Sequence, residues 1–322
     1  MNVLVTGATG FIGHHLVERL LESRAEIFAL VRNPSRAAFA GNASVHLLQG
    51  DLFNIPPLPS SLDRVFHLAG LTKSLKTVDY YTVNRRGTAS VFDALARQGQ
   101  FPKVVVLSSL SAGGPSDGCT GRRDSDPPAP VTAYGKSKLG GEEEALARRS
   151  RFPVAILRVG AVYGPRDTDF LKYFQFVKRG LLPVVGLERR LISVCYAPDL
   201  ARALTLAAEA HLDSGEILNV GDPVPTTMED IGLAAGRALG KTPRKITVPK
   251  YLAKGISIVQ EMFSAISRKP SILNREKVLE YCQPGWVADV EKARTRLGFE
   301  TKYSLEEGIR ETILWYQNAG WL

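Results

Sequence analysis

The sequence is poor in cysteine and has no long apolar run. Its three cysteines are widely spaced, without a CxxC pair, which argues against a disulfide framework or a zinc site: Cys119, Cys195 and Cys282. We predict no bound metal. No apolar stretch reaches the roughly 18 to 20 residues of a membrane span, and no basic segment precedes the first apolar residues as it does in a signal peptide. We therefore expect a cytoplasmic protein without a transmembrane segment.

Acidic residues are the scarcer charged class, with 32 Asp and Glu against 41 Lys and Arg, a net charge of +9. The basic residues are dispersed along the chain and are not interleaved with aromatic residues, whereas nucleic-acid-binding surfaces concentrate their positive charge on one face. The composition therefore favours an anionic small-molecule partner, and we expect no nucleic acid.

The first half alternates apolar runs with segments of helical spacing. The runs are residues 2–6, 26–31, 44–49, 64–69, 103–109 and 153–159. Near-continuous apolar runs are typical of strands in a parallel sheet that helices cover on both faces. Residues 11–23 and 80–99 read as two of the intervening helices. This order predicts an α/β fold with a doubly wound parallel sheet of the Rossmann type.

The pattern loosens after about residue 165. We predict a dinucleotide-binding domain of residues 1–165 with about 190–222. Residues of about 166–189 and 223–322 are predicted to form a smaller, mostly helical substrate-binding domain.

Three glycines follow the first predicted strand in "TGATGFIG" (residues 6–13): Gly7, Gly10 and Gly13. A tight turn, a close approach to a pyrophosphate and close helix–strand packing each need a residue without a side chain. The next helix then offers its unpaired N–H groups to the phosphates. This context predicts a dinucleotide site.

The residue after the second strand bears on the choice of cofactor. An enzyme specific for NAD commonly has an acidic residue there, but this chain has Arg32. An arginine can pair with a 2′-phosphate, so we predict NADP in preference to NAD. Asp51, after the third strand, has two readings that the sequence leaves open: an acceptor for the adenine amino group, or a cap of its own loop.

Tyr134 and Lys138 in "YGKSK" are four residues apart, which places them on one face of a helix. By themselves they fit a surface helix as well as a proton-transfer site in which an ammonium favours the phenolate.

Seven motifs occur in the same order as in a known family: "TGATGFIG" (6–13), "GDL" (50–52), "HLAG" (67–70), "VNRRGT" (83–88), "LSS" (107–109), "YGKSK" (134–138) and "LRVGAVYGP" (157–165). The chain thereby resembles the extended short-chain dehydrogenase/reductase family. The resemblance implies that Ser109, Tyr134 and Lys138 are catalytic and that the protein forms a homodimer. It places these residues at the cofactor: Gly7, Thr9, Gly10, Phe11, Ile12, Gly13, Arg32, Asp51, Leu52, Leu68, Ala69, Gly70, Asn84, Ser108, Tyr134 and Lys138.

Several positions depart from the family pattern. Ser111 is a second candidate for the role of Ser109, and Val159 stands where a proline is common. Ala161 stands where epimerases of sugar nucleotides often have an asparagine, and the Thr-Asp-Glu of the dehydratases is missing. We therefore expect an NADP-dependent oxidoreductase that interconverts an alcohol and a ketone or aldehyde on a rather apolar substrate. A nucleotide-sugar epimerase with tightly bound NAD(P) remains the alternative.

A basic amphipathic helix is predicted over residues 251–269. Its apolar stripe is Leu252, Ile256, Val259, Phe263 and Ile266. The pattern leaves three roles open: a cover for the substrate domain, a flap over an apolar substrate, or peripheral contact with a membrane surface.

Overall fold

The computed structural model describes residues 1–118, 120–252, 254–257, 260 and 275–322. Cys119 and three members of the predicted apolar stripe, Val259, Phe263 and Ile266, lie outside these residues. In the described part of that stripe, Leu252 and Ile256 are exposed.

Eleven strands are present in the described ranges. They are β1 (Asn2–Thr6), β2 (Glu26–Val31), β3 (Val45–Gln49), β4 (Arg64–His67), β5 (Lys103–Ser109), β6 (Val154–Val159), β7 (Ala161–Tyr163), β8 (Leu181–Val185), β9 (Val194–Tyr196), β10 (Glu216–Val220) and β11 (Arg244–Val248). Seven of them form one parallel sheet in the order β10-β6-β5-β4-β1-β2-β3. Because β1 lies inside this order, with β2 and β3 on one side and β4 to β6 on the other, the sheet is doubly wound, and the predicted fold class is confirmed.

Helices cover both faces of the sheet. The α-helices of the described ranges, including those of the second half of the chain, are α1 (Phe11–Glu22), α2 (Thr77–Tyr80), α3 (Gly87–Arg97), α4 (Leu110–Gly113), α5 (Ala133–Leu146), α6 (Asp169–Lys178), α7 (Ala197–Glu209), α8 (Met228–Ala238), α9 (Arg275–Tyr281), α10 (Glu291–Leu297) and α11 (Leu305–Asn318). In the ranges described above, none of the helices combines the length and the apolar character needed to cross a membrane.

Alternate residues of each central strand face opposite cores. Val3 and Val5 of β1 pack with α1 and α7, whereas Leu4 packs with α3 and α5 on the other face. All three side chains are buried. Burial on both faces explains why the strands read as continuous apolar runs.

A third core is built from the second half of the chain. It is rich in aromatic residues, with Phe174 on α6, Ile231 on α8 and Tyr316 on α11 at its centre. This region also contains a two-stranded parallel pair, β8 with β11, within the segment predicted to be mostly helical. The polar, largely exposed residues of β11 (RKITV) hide its strand character. The domain boundaries stay a prediction.

The predicted helix over residues 80–99 is interrupted. A π-helical segment (Tyr81–Arg86) joins α2 to α3. It contains Asn84, which is buried. The wider turn thus places a polar side chain under the carboxyl edge of the sheet, where π-helical segments are often functional.

Candidate active site

The glycine loop between β1 and α1 leaves no room for side chains. Gly7 has a φ of +75°, and a Cβ there would lie 2.7 Å from the amide nitrogen of Ala69. A Cβ on Gly13 would lie 2.1 Å from the carbonyl oxygen of Gly7. Gly10, at the N-terminal cap of α1, offers no side chain to cover the first turn. The open helix end and the cradle around it fit the pyrophosphate of a dinucleotide.

The rim of this cradle is formed by Thr9, Phe11 and Ile12. Thr9 is exposed, and Phe11 and Ile12 are half-buried at the start of α1. Their position is that expected of residues whose backbone faces a bound dinucleotide.

The loop after β4 lies beside the glycine loop. The amide of Leu68 donates to the carbonyl oxygen of Thr6 at 3.2 Å, and the amide of Ala69 donates to the Thr6 hydroxyl at 3.2 Å. The side-chain amide of Asn84 bonds both backbone groups of Leu71, at 2.7 Å and 3.0 Å. Asn84 therefore holds the loop containing Leu68, Ala69 and Gly70 in position.

His67, at the end of β4, is a buried structural residue. The Thr88 hydroxyl donates to the carbonyl oxygen of Asn84, so it accepts from His67 Nε2–H at 3.0 Å. Nδ1 then accepts from the Thr6 hydroxyl at 2.8 Å. Burial, followed by the charge of Lys138, lowers the pKa of His67 to about 3. The neutral imidazole links three elements under the cradle.

Three predicted cofactor residues follow β2 and β3. Arg32 is exposed at the end of β2. Asp51 Oδ1 accepts from the amides of Phe53 and Asn54 at 2.8 Å and 2.9 Å, so the loop-capping reading of Asp51 is realised. Leu52 is buried against Gly87, so its side chain serves packing.

Tyr134 lies in the first turn of α5, which begins after Thr132. The Thr132 hydroxyl caps the helix by accepting from the amide of Gly135 at 3.0 Å. The Tyr134 ring is half-buried and meets the Tyr80 ring edge-on, with centroids 6.1 Å apart. Burial raises the pKa of Tyr134, and a hydrogen bond with Ser109 partly offsets that rise. The structure thus brings Ser109 and Tyr134 together.

Lys138 lies one turn further along α5. Its ammonium donates to the carbonyl oxygen of Leu107 at 2.7 Å. A Cβ on Gly70 would lie 3.7 Å from Lys138 Nζ, so the ammonium stands next to the loop after β4. Burial lowers the pKa of Lys138 to about 8, and the Glu142 carboxylate acts in the opposite direction.

Two other serines named in the sequence analysis, Ser108 and Ser111, each donate a hydrogen bond to a carboxylate. Ser108, predicted at the cofactor, donates to Glu142 Oε1 at 2.5 Å below the site. Glu142 in turn forms a buried pair with Arg158, with nitrogen–oxygen distances of 2.9 Å and 2.6 Å. Ser111 donates to Glu280 Oε1 on α9 at 3.1 Å, and its amide donates to the Ser109 hydroxyl at 3.1 Å.

Sequence reasoning missed two groups of residues here. Glu142 follows Lys138 by four residues, so helical spacing could have found it. Glu276, Lys277 and Glu280 on α9 reach the site from the far end of the chain, and no local pattern marks them. Among the described residues, no group of three or more His, Cys, Asp or Glu side chains is arranged to hold a metal ion.

Comparison with known proteins agrees with this geometry. The model of the NAD dependent epimerase/dehydratase family matches residues 3–221. Ceramide reductase of Caulobacter vibrioides is 29% identical, over 99% of this chain and 96% of that protein. The dTDP-6-deoxy-L-talose 4-dehydrogenase (NAD(P)(+)) of Kitasatospora kifunensis is 28% identical, over 97% of this chain and 94% of that protein.

A solved structure extends the likeness to the whole fold. MoeE5 in complex with UDP-glucuronic acid and NAD superposes with a TM-score of 0.76, at 28% identity, over 99% of this chain and 100% of that one. The family model alone covers more than half of the 322 residues. The chain belongs to the NAD dependent epimerase/dehydratase family and is an NAD(P)-dependent enzyme of the extended short-chain dehydrogenase/reductase type.

Proposed function

We propose that this enzyme is an NADP-dependent oxidoreductase that interconverts an alcohol and a ketone or aldehyde. The observation that carries the proposal is the convergence of Ser109, Tyr134 and Lys138 beside the glycine cradle. Hydrogen bonding by Ser109 lowers the pKa of the Tyr134 phenol, and Lys138 reaches the loop of Gly70 from the same helix as Tyr134. A proton-transfer group, a hydroxyl to orient the substrate oxygen and a cation thus meet in one place.

The residues of the chain have separate parts in the reaction. When bound, the nicotinamide cofactor takes up a hydride from the carbinol carbon or returns it to the carbonyl carbon. In the oxidative direction the Tyr134 phenolate accepts the proton of the substrate hydroxyl as the C=O bond forms, and in the reductive direction the Tyr134 phenol returns it. Ser109 hydrogen-bonds the substrate oxygen and stabilises the charge that develops on it. Lys138 holds the ribose of the cofactor.

We propose an apolar substrate for this reaction. Ceramide reductase, a relative over nearly the whole chain, has by its name a lipid substrate. Ala161 supplies no side-chain amide for a sugar diphosphate. A hydroxysteroid, a flavonoid or a long-chain amino alcohol fits this chemistry.

Arg32 supports the choice of NADP. Its side chain is exposed at the end of β2, next to the cradle, and forms no ion pair within the described residues. A guanidinium there can pair with the 2′-phosphate of NADP, whereas nothing at this position favours the free hydroxyl of NAD.

A nucleotide-sugar epimerase is the second candidate. The observation that favours it is the whole-chain likeness to MoeE5, a protein solved with UDP-glucuronic acid and NAD. An epimerase uses the same proton and hydride transfers but returns the hydride to the same carbon, so it leaves no net change in the cofactor.

The stoichiometry of the cofactor separates the two candidates. Purified enzyme is mixed with NADP and a panel of apolar secondary alcohols, and separately with UDP-glucose, while nicotinamide absorbance is followed. We expect one reduced nicotinamide per alcohol oxidised, and turnover lowered by about a hundredfold or more in Tyr134→Phe. Conversion of UDP-glucose without any absorbance change would instead establish the epimerase.

Two further properties belong to the proposal. We expect a homodimer in which α3 and α5 of each protomer pack against those of the other around a two-fold axis. The exposed side of these helices has a shallow depression lined by Thr82, Arg86, Ala89 and Asp93. We also propose that the enzyme works in the cytoplasm.

A further inference from the structure

Helix α9 touches the active site although it is distant in sequence. The Glu276 carboxylate accepts from the backbone amides of Ala133 and Tyr134 at 3.0 Å and 3.2 Å, so it caps the open end of α5. One turn later, Glu280 Oε1 accepts from the Ser111 hydroxyl at 3.1 Å. These contacts fix α9 across the first turn of α5 and beside Ser111, two residues after Ser109 at the end of β5.

Lys277 lies between these two anchors. Its ammonium pairs with Glu280 Oε2 at 2.8 Å. The Glu280 side chain is 12% exposed and that of Lys277 is 34% exposed, so the pair is partly buried. The Lys277 charge acts on the Tyr134 phenol and lowers its pKa, and the phenol in turn raises the pKa of Lys277.

Lys138 is oriented differently. Its ammonium donates to the carbonyl oxygen of Leu107 and stands next to Gly70, on the side where the ribose is proposed to bind. The chain therefore has two ammonium groups near Tyr134, with Lys138 at the cradle and Lys277 on the helix that is anchored to the first turn of α5 and to Ser111.

We propose that Lys277 is a positioning residue of the proton-transfer site, whose ammonium stabilises the Tyr134 phenolate, and that Glu280 holds this ammonium in place. The inference rests on the proposed function for the role of the phenolate in turnover. In the oxidative direction, Lys277 offsets the negative charge of Tyr134 before the proton of the substrate hydroxyl arrives, and the phenol is neutral afterwards. The C-terminal part of the chain thereby tunes chemistry carried by the dinucleotide-binding half.

Four neighbouring side chains shift the pKa of the Tyr134 phenol, two downward and two upward. Ser109 and Lys277 lower the Tyr134 pKa, while Glu280 and the neighbouring Tyr80 raise it. Glu276 contacts the backbone amide of Tyr134 and holds the helix end. Removal of the Lys277 charge should therefore raise the Tyr134 pKa, whereas removal of the Glu280 charge with an amide oxygen left to accept from Lys277, as in Glu280→Gln, should lower it. If α9 had only a structural role, the two substitutions would not shift the Tyr134 pKa in opposite directions.

The test measures the phenol itself in the cofactor-free protein. The ten tyrosines are replaced by 3-fluorotyrosine, which ionises at lower pH than tyrosine, and each is followed by fluorine NMR across a pH titration. The Tyr134 signal is assigned by its loss in Tyr134→Phe. We expect Lys277→Met to raise its midpoint by about one pH unit and Glu280→Gln to lower it, with Lys277→Arg within about 0.3 units of the unsubstituted protein.

Lys136→Met is the matched control, since Lys136 is an exposed lysine on α5 two residues from Tyr134. It removes the same charge and should leave the midpoint unchanged. An unshifted Tyr134 midpoint in a folded Lys277→Met protein, or an equal shift in Lys136→Met, overturns the role of Lys277. Turnover of Tyr134→Phe at the rate of the unsubstituted enzyme overturns the proposed function instead and leaves the measured Tyr134 midpoints as they are. With a substrate in hand, the pH profile of kcat should move in the same direction as each midpoint.

Discussion

Tyr134 differs from a surface tyrosine in its surroundings. Burial disfavours its phenolate, and Ser109 and Lys277 act against that burial. A group balanced in this way responds strongly to small electrostatic changes, as catalytic acids and bases do. Its function can be tested by Tyr134→Phe, which removes only the phenol oxygen.

Replacing Tyr134 with Phe removes the hydroxyl and keeps the ring against Tyr80. We expect turnover to fall by about a hundredfold or more with little change in cofactor affinity. Lys138→Met should lower both turnover and cofactor affinity. The combined variant should lose much less than the product of the two effects, because the residues act as one unit. Steady-state kinetics would measure turnover, and cofactor titration would measure affinity. If the loss in the double variant equals the product of the two single losses, Tyr134 and Lys138 do not act as one unit.

Arg32 offers a test of cofactor choice away from the chemistry. Arg32→Asp replaces a proposed phosphate partner with a repelling carboxylate, so NADP affinity should fall by about 2–4 kcal/mol, with a much smaller change for NAD. Calorimetric titration with both cofactors gives the comparison. Arg24→Asp, at an exposed position before β2, is the control for charge alone. Tighter binding of NAD than NADP by the unsubstituted enzyme would reject the assignment.

His67 predicts a loss of stability in acid. Its pKa is about 3 in the fold but near 6.5 in an unfolded chain, so only the unfolded chain binds the proton between these values. The free energy of unfolding should therefore decrease as the pH falls below 6.5, by about 3 kcal/mol at pH 4.5. Urea unfolding should show a weaker pH dependence in His67→Gln than in the unsubstituted protein. Substitution of His211, which is exposed, should leave the dependence as it was.

At the scale of elements, the buried pair of Glu142 and Arg158 joins α5 to β6. Each side chain is at most 2% exposed, and the Ser108 hydroxyl completes the hydrogen bonding of the carboxylate. A buried charge without its partner is costly, whereas an intact pair contributes little net stability. The pair thus fixes where α5, and with it Tyr134, lies on the sheet.

Arg158→Met should lower the free energy of unfolding by about 3–5 kcal/mol, because Glu142 stays buried without its partner. The combination with Glu142→Gln should recover part of that loss. Arg294→Met, which breaks an exposed pair with Glu291, should leave the free energy of unfolding nearly unchanged. Urea denaturation measures all three, and a double variant no more stable than Arg158→Met would contradict this account of the pair.

The elements differ in how well the sequence predicted them. Six of the seven strands of the main sheet were visible because burial on both faces leaves continuous apolar runs, as in β5 (KVVVLSS). Strand β11 was missed because its residues are largely exposed, and the π-helical turn at Asn84 was missed because its contacts come from Leu71 and Ser137. At the site, ordered motifs located Tyr134 and Lys138. The contribution of α9 depends on contacts across more than 140 residues, such as that of Ala133 with Glu276.

For the whole molecule, we predict a dimer formed through the exposed side of α3 and α5. Light scattering at micromolar concentration should give twice the 35.1 kDa of the chain. Ala89→Arg places a long charged side chain in the depression on this face and should produce monomers. Thr295→Arg, on exposed α10, adds the same charge elsewhere and should remain dimeric. A single-chain mass for the unsubstituted protein would count against the interface.

The strand order also has a consequence for how the chain folds. The chain leaves the sheet at Val159 and returns to it at Glu216, where β10 pairs with β6. Until β10 is in place, β6 is an open edge whose residues are all buried in the finished protein. Closing such a long loop is slow, and an open apolar edge invites pairing with other chains. Refolding from denaturant should therefore be slow and sensitive to protein concentration, with losses to aggregation that dilution relieves.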